Sequence, residues 1–228
     1  MHADLKDKHV VVTGGRGALG RAIVDRLVAD GATCHIPAAS ADAPADDRER
    51  VRVTGGVDLT DEASARAYFA ALPPLWGSIH AAGGFAMAPI AETSLDDFEA
   101  MHKTNVVTCF LSCREAVQAM RRAGGGRIVN VAARPAVAPV GGLLAYTTSK
   151  AAVASITQCL ADEVHGDGIL VNAVLPSIID SPPNRAAMAD AAHDLWPKPE
   201  QIAETVAFLI SPRNELTWGA LVPVYGRA

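Results

Sequence analysis

The chain has 228 residues, of which 50% are apolar and 20% charged, a balance that suits one large α/β domain. Its net charge of −5 offers no basic surface for nucleic acid or for an anionic membrane. No apolar run reaches the roughly 18 residues that a membrane span needs, and the segment from Met1 to Lys8 is too polar for a secretory signal, so we expect a cytoplasmic protein.

Strand-like apolar runs alternate with helical patterns along the chain. Strands are predicted over residues 9–13, 32–36, 51–57, 78–82, 127–131, 170–175 and 219–224. Helices are predicted over residues 19–30, 61–72, 145–165 and 199–210, with two helical stretches inside 95–122. This alternation predicts a single-domain, Rossmann-like α/β fold over residues 1–228, a doubly wound parallel sheet flanked by helices. Residues 182–197 form the least regular segment, which follows a strand end, where loops commonly cover ligands.

A glycine-rich turn follows the first predicted strand and opens the first predicted helix. Within residues 13–20, Gly15, Gly17 and Gly20 match the spacing GxGxxG. Glycines allow a tight turn and a close backbone approach to a pyrophosphate, and the helix N-terminus adds free amides and a favourable dipole. The spacing and its place after a strand together predict dinucleotide binding.

The end of the second predicted strand indicates the type of dinucleotide. An acidic residue there would bind the 2′-hydroxyl of NAD and repel a 2′-phosphate, but residues 36–40 contain none. Arg16, in the glycine turn, is placed to reach a 2′-phosphate. We expect NADP in preference to NAD, with a solvated loop position for Arg16 as the alternative.

Tyr146 and Lys150 lie four residues apart in a predicted helix and so share one face. The ordinary pKa of tyrosine is about 10, and a nearby ammonium favours the phenolate and lowers that value. Such a pair can give a proton to a developing alkoxide or take one from an alcohol. Taken alone, the spacing is more typical of an amphipathic helix with a packed tyrosine and a solvated lysine.

The cysteines and histidines show no metal-binding spacing. Cys34, Cys109, Cys113 and Cys159 include no CxxC pair, and the seven histidines include no HxxxH or HExxH pattern. We therefore expect buried, reduced thiols and no metal site.

The glycine turn, Asn105, Tyr146 and Lys150, in this order and spacing, resemble the short-chain dehydrogenase/reductase family over nearly the whole chain. The resemblance implies an NAD(P)-dependent oxidoreductase that acts on a small molecule, with Tyr146 as general acid or base. Lys150 would lower the pKa of that tyrosine and bind the nicotinamide ribose. Asn105 would hold a local helix irregularity and a water that connects Lys150 to solvent.

Further motifs match the family in part. Ala18 replaces the middle glycine of its turn, residues 80–83 read His-Ala-Ala-Gly where Asn-Asn-Ala-Gly is usual, and Ser177 and Ser181 replace a glycine and a threonine. The cofactor contacts that the resemblance implies are Gly14, Arg16, Gly17, Ala18, Leu19, Gly20, Asp58, Leu59, Ala82, Gly83, Gly84, Tyr146, Lys150, Pro176, Ile179 and Ser181. It also implies a homodimer or homotetramer formed through the helices around residues 105–120 and 146–163.

One residue that the family usually has is missing. The family places a serine 13 residues before the tyrosine, where its hydroxyl stabilises negative charge on the reacting carbonyl oxygen. Here that position is Ala133, and residues 130–135 contain no hydroxyl. Loss of such a donor typically costs ~10²–10³ in rate.

Three interpretations of Ala133 stay open. Residues 14–20, 82–85 and 173–188 are locally similar to dihydropteridine reductase, a divergent member without the serine, which favours a quinonoid, pterin or imine-like substrate. Asn105 argues against a close functional match with that enzyme. Alternatively, a water or a substrate group replaces the serine in carbonyl reduction. The third interpretation is a catalytically weak or inactive sensor or structural protein that binds the cofactor.

Overall fold

A sheet of seven strands forms the centre of the structure, a computed structural model that describes residues 4–227. The strands are β1 (His9–Thr13), β2 (Thr33–Pro37), β3 (Val51–Thr54), β4 (Leu75–His80), β5 (Gly126–Val131), β6 (Ile169–Pro176) and β7 (Leu221–Val224). Their spatial order is β3-β2-β1-β4-β5-β6-β7, and every pairing is parallel. The order reverses between β1 and β4, and ligands bind at such a point in open parallel sheets.

Helices cover both faces of the sheet. They are α1 (Ala18–Ala29), α2 (Glu62–Ala70), α3 (Leu95–His102), α4 (Thr108–Ala123), α5 (Leu144–Val164), α6 (Pro182–Ala187) and α7 (Pro199–Ile210). Helices α1 and α7 pack on one face, and α2, α4 and α5 pack on the other. The predicted α/β fold, a doubly wound parallel sheet flanked by helices, is confirmed. Within the described part of the chain, none of these helices is both long and apolar enough to cross a membrane.

Strand β1 shows why the sheet needs a helical layer on each side. Successive side chains of a strand point to opposite faces. Val11 joins the core with α2, α4 and α5, whereas Val10 and Val12 join the core with α1 and α7. All three valines are fully buried, so the strand reads as a continuous apolar run, as parallel strands covered on both faces do.

Two strands differ from their predicted bounds, while the other strands and the long helices agree within two residues. Strand β3 ends at Thr54 rather than at residue 57, because the next two residues are glycines, and Gly56 has a φ of +73°. Strand β4 begins at Leu75 rather than at residue 78, because Leu75 already pairs with His9 of β1.

The segment 182–197 is more regular than predicted. It contains α6, which Pro182 begins at its first position, and a 3-10 turn at His193–Leu195. The proline fixes a helical φ and lacks only an amide that the first turn leaves unpaired. Trp196 lies near the end of the segment and is buried, so it anchors the segment to the body of the protein.

The thiols agree with the prediction except at one position. Cys34, Cys109 and Cys113 are buried and free, but Cys159 is exposed. The prediction of a buried thiol is wrong there, because Cys159 lies on α5 next to exposed Gln158 rather than on the side of α5 that packs on the sheet.

Candidate active site

The candidate site residues gather at the carboxyl edge of the sheet. The glycine turn follows β1, Gly83 and Gly84 follow β4, Ala133 follows β5, and residues 177–181 follow β6. Parallel strands bring all their carboxyl ends to one edge, so segments that are far apart in sequence become neighbours there.

Close backbone packing makes glycine necessary at two positions of the turn. A Cβ atom on Gly20 would lie 2.1 Å from the carbonyl oxygen of Gly14. A Cβ atom on Gly14, whose φ is +66°, would lie 2.7 Å from the backbone of Ala81. Gly17 begins α1 without a side-chain cap, so no side chain competes with a bound anion for the first amides of the helix.

A cavity of about 360 Å³ opens beside this turn. Its lining residues are Gly14, Gly15, Arg16, Gly17, Pro37, Ala38, Ala39, Ser40, Val57, Asp58, Leu59, Thr60, Ala82 and Thr108. The Asp58 carboxylate accepts hydrogen bonds from the amide and the hydroxyl of Thr60, both at 2.7 Å, and these contacts lower its pKa. A glycine backbone, an uncapped helix N-terminus and a cavity of this size fit the adenosine and phosphate part of a dinucleotide.

The predicted cofactor contacts lie in separate parts of this edge. Gly14, Arg16, Gly17, Asp58, Leu59 and Ala82 line the cavity. Ala18, Leu19 and Gly20 form the first turn of α1, where Leu19 and Gly20 are buried. Gly83, Gly84, Tyr146 and Lys150 lie around Asn105. Pro176, Ile179 and Ser181 belong to the chain that leaves β6, and they do not line the cavity.

Asn105 connects three segments of the site. It lies in a π-helical turn, Lys103–Val107, between α3 and α4, which is the helix irregularity that the sequence predicts. Its Nδ2 atom donates to the Gly84 carbonyl at 3.1 Å and to the Ser149 hydroxyl at 2.9 Å. Its Oδ1 atom accepts from the Gly84 amide at 2.9 Å. Such single-turn π-bulges are frequent at functional sites.

Because Gly83 has no side chain, Asn105 and Lys150 have room to approach each other. A Cβ atom at this position would lie 2.5 Å from the Asn105 oxygen and 3.4 Å from the Lys150 nitrogen. The Lys150 ammonium is buried and donates to the carbonyl oxygen of Val131 at 2.8 Å. Its nitrogen lies 6.0 Å from the centre of the Tyr146 ring.

Burial controls the acidity of both members of the pair. It lowers the pKa of Lys150 to about 8 and raises the pKa of Tyr146 to about 12. In this structure the pKa of Tyr146 lies above its ordinary value because burial disfavours the phenolate, and the lowering by Lys150 that the resemblance implies stays a prediction. A phenol with a raised pKa keeps its proton at neutral pH, so Tyr146 is in the form that can act as an acid.

Some neighbours of Tyr146 and Lys150 were not predicted from the sequence. Phe85 contacts the Tyr146 ring edge-on, with ring centroids 5.0 Å apart, and its place directly after two glycines was the available signal. Ser149 accepts from Asn105, and Val131 accepts from Lys150 through its backbone, which no side-chain pattern reports. Ala133 is buried and directly precedes a 3-10 turn. Its methyl group provides no hydrogen-bond donor in place of the missing serine hydroxyl.

Comparison with known proteins assigns the family. Residues 8–192 match the family model described as short chain dehydrogenase. The chain belongs to the short-chain dehydrogenase/reductase family. It is therefore an oxidoreductase of a family that uses NAD(P), and the glycine turn and its cavity fit such a dinucleotide.

Relatives within the short-chain dehydrogenase/reductase family have diverse names. The chain is 29% identical to D-threitol dehydrogenase of Mycolicibacterium smegmatis, over 97% of this chain and 93% of that protein. It is 30% identical to inactive 2-(S)-hydroxypropyl-CoM dehydrogenase 2 of Xanthobacter autotrophicus, over 75% of this chain and 82% of that protein. The solved structure of a blue fluorescent protein from a metagenomic library, in complex with NADPH, matches with a TM-score of 0.84 at 29% identity, over 98% of both chains.

Proposed function

We propose that the protein catalyses the NAD(P)H-dependent reduction of a small carbonyl or quinonoid compound, with Tyr146 as the proton donor. The observation that carries this proposal is the grouping of Tyr146, Lys150 and Asn105 beside the glycine turn, at one edge of the sheet. A half-buried acid, a buried cation and a fixed amide at a dinucleotide site supply what proton transfer next to a hydride donor needs.

The side chains of this chain have distinct tasks in the proposed reaction. A nicotinamide held by the glycine turn, Lys150 and residues 176–181 would supply hydride to the substrate. Tyr146 keeps its proton at neutral pH because burial raises its pKa to about 12, and it donates that proton to the oxygen that gains negative charge. Lys150 is charged below its pKa of about 8 and stabilises the phenolate that remains. Asn105 holds Gly84 and Ser149 in place, and with them the start of α5.

The mouth of the site supports an apolar substrate. Several of its side chains are apolar and exposed: Phe85, Met87, Ile90, Val137, Val140 and Leu144. The two loops that carry them are joined by a hydrogen bond from the Ala88 amide to the Gly142 carbonyl at 2.9 Å. Phe85 contacts Tyr146 directly, so the apolar surface reaches the proposed proton donor. A small uncharged ketone or a flat quinonoid ring suits this surface better than a charged substrate.

Ala133 favours a substrate that does not need a second hydrogen-bond donor. Thr148 does not replace the missing hydroxyl, because its own hydroxyl donates to the Leu144 carbonyl at 2.9 Å. A quinonoid, pterin-like or imine-like ring spreads the incoming negative charge over its conjugated system. A simple ketone concentrates that charge on one oxygen and gains more from a fixed donor.

A cofactor-binding protein with little or no turnover is the second candidate function. Two observations favour it: the alanine at position 133, and a 30% identical relative whose name describes it as inactive. The retained Tyr146, Lys150 and Asn105 favour the enzyme, since a protein that only binds the dinucleotide has no use for a proton donor.

Positive charge near the adenosine cavity supports NADP rather than NAD. Arg16 lines this cavity and also a neighbouring one of about 350 Å³, which Arg21 and Arg48 line as well. Arg48 is paired with Asp25 and Asp46. Arg16 is exposed at the border of both cavities, where its planar guanidinium suits a 2′-phosphate.

We also propose a homodimer or homotetramer formed through α4 and α5. Phe110 of α4 is a large apolar side chain that is 47% exposed. A second copy of the chain would cover it.

Tyr146→Phe removes the proposed proton donor and keeps the ring against Phe85. We expect kcat for NAD(P)H oxidation with ketones, quinones and quinonoid dihydropterin to fall by ~10²–10⁴. Dinucleotide affinity, measured by calorimetry, should change by less than about twofold. Tyr68→Phe is the matched control, because the buried Tyr68 hydroxyl has no hydrogen-bond partner among residues 4–227, and it should keep the wild-type rate. Full turnover by Tyr146→Phe would contradict the mechanism, whereas a wild-type protein that binds the dinucleotide without any turnover would support the second candidate.

Arg16→Ala should weaken NADPH binding by about tenfold or more, because a hydrogen bond to a charged group contributes ~1.5–3 kcal/mol. NADH affinity should be unchanged, since NADH lacks the 2′-phosphate. Titration calorimetry measures both, and Arg66→Ala on the exposed surface of α2 is the matched control. Tighter binding of NADH than of NADPH by the wild-type protein would refute the NADP preference.

Ala133→Ser restores a hydroxyl at the position where the family usually has one. We expect turnover of simple ketones to rise by ~10-fold or more, while turnover of quinonoid substrates stays nearly constant. Ala132→Ser is the control, since it makes the same change in an adjacent buried residue. An unchanged or lower ketone rate would show that the site is adapted to other chemistry.

A further inference from the structure

Three potential metal ligands meet inside the protein, next to the candidate active site. His80 ends β4, and Cys109 and Cys113 lie one helical turn apart on α4. A nitrogen of His80 and the two sulfur atoms all lie within 4.8 Å of one another. Each of the three residues is at most 4% exposed, so they form an enclosed cluster rather than a surface group.

The distances suit a tetrahedral, thiophilic cation. The Cys113 sulfur lies 3.4 Å from Nδ1 of His80 and 3.5 Å from Oδ1 of Asn130. Zinc binds sulfur at about 2.3 Å and nitrogen at about 2.0 Å, so neighbouring ligand atoms in a tetrahedral site are separated by about 3.5 Å. The pair of Nδ1 and Oδ1, 2.7 Å apart, is closer than this. Opening that hydrogen bond by less than about 1 Å would bring these two atoms to a tetrahedral separation.

The surrounding side chains orient the ligands toward a common point. In this structure Nδ1 of His80 donates to Oδ1 of Asn130. The Ser78 hydroxyl lies 2.8 Å from Nε2, so a proton on Nε2 would have an acceptor once Nδ1 turns its lone pair to a cation. Asn130 donates through Nδ2 to the Thr157 hydroxyl at 2.9 Å, which leaves its Oδ1 directed at His80 and Cys113. Such outer contacts accompany metal-binding histidines in proteins.

We propose that His80, Cys109 and Cys113, with the carboxamide oxygen of Asn130, bind one zinc ion or a similar thiophilic divalent cation. Binding displaces the two thiol protons to solvent, and the imidazole proton moves from Nδ1 to Nε2. Two thiolates neutralise a divalent cation, so the filled site carries no net charge. A neutral site is the form that a fully buried position tolerates best.

The cation would stabilise α4 close to the π-helical turn that contains Asn105. Cys109 follows Asn105 by one helical turn, and Asn130 directly precedes Val131, whose carbonyl accepts from Lys150. A cation at the cluster would therefore join α4 to β4 and β5 immediately behind the groups that position the proposed proton donor. It touches no reacting atom, so its first effect is on stability.

Cobalt is the probe for this site, because thiolate-bound cobalt absorbs strongly in the visible and near ultraviolet. The reduced, full-length chain should be refolded with excess cobalt, because the cluster is closed in the folded protein. Gel filtration then removes unbound cobalt. We expect about one cobalt per chain, measured by mass spectrometry of the metal, with a thiolate-to-cobalt band. Refolding with zinc in place of cobalt should give no such band, and the zinc-loaded protein should melt about 5 °C or more above protein refolded with a chelator.

Two ligand variants and one matched thiol variant separate this site from adventitious binding. Cys113→Ser and His80→Asn should each retain less than about one tenth of the cobalt, and His80→Asn keeps a polar partner for Asn130, so its circular dichroism spectrum should be native. Cys159→Ser removes an exposed thiol on α5 and should bind cobalt like the wild type. The proposal is wrong if wild-type protein refolded in cobalt shows no thiolate band. It is equally wrong if the band survives in both ligand variants or is lost in Cys159→Ser.

Discussion

The candidate site depends on the buried amide of Asn105. Its three hydrogen bonds join the π-helical turn before α4 to the chain after β4 and to Ser149 of α5. An unsatisfied buried donor or acceptor costs about 1–3 kcal/mol, so these three segments keep one arrangement. Lys150 directly follows Ser149, and the space for its ammonium exists because residue 83 is glycine. The position of the Lys150 ammonium therefore depends on the position of the Asn105 carboxamide.

Burial then determines the protonation states of Lys150 and Tyr146. Desolvation lowers the pKa of Lys150 and raises that of Tyr146, so at neutral pH the pair consists of an ammonium and a protonated phenol. In that state Tyr146 holds the proton that the proposed reduction needs. The exposed residues around Phe85 extend an apolar surface outward, and in the proposed reaction Ala133 would give the substrate oxygen no second donor. These features together favour substrates that stabilise their own negative charge.

Local sequence patterns predict much of the fold and of the candidate site. The valines of β1 and the glycines after it predict a buried strand and a dinucleotide turn, and family motifs predict that Asn105, Tyr146 and Lys150 act together. The direction of the Tyr146 pKa shift could not be predicted from the sequence, because that direction depends on how completely distant loops cover the ring. The cluster of His80 with Cys109 and Cys113 was also missed, since β4 and α4 bring together ligands that are far apart in the chain.

The pH dependence of kcat for reduction, compared between the wild-type protein and Lys150→Met, tests the central claim most directly. The account requires protons on both Tyr146 and Lys150, so wild-type kcat should be constant at lower pH and fall as pH rises through about 8, where Lys150 loses its proton. In Lys150→Met the rate should be low and this fall should disappear. The same fall in the variant, or a wild-type rate that continues unchanged above this pH, would contradict the account.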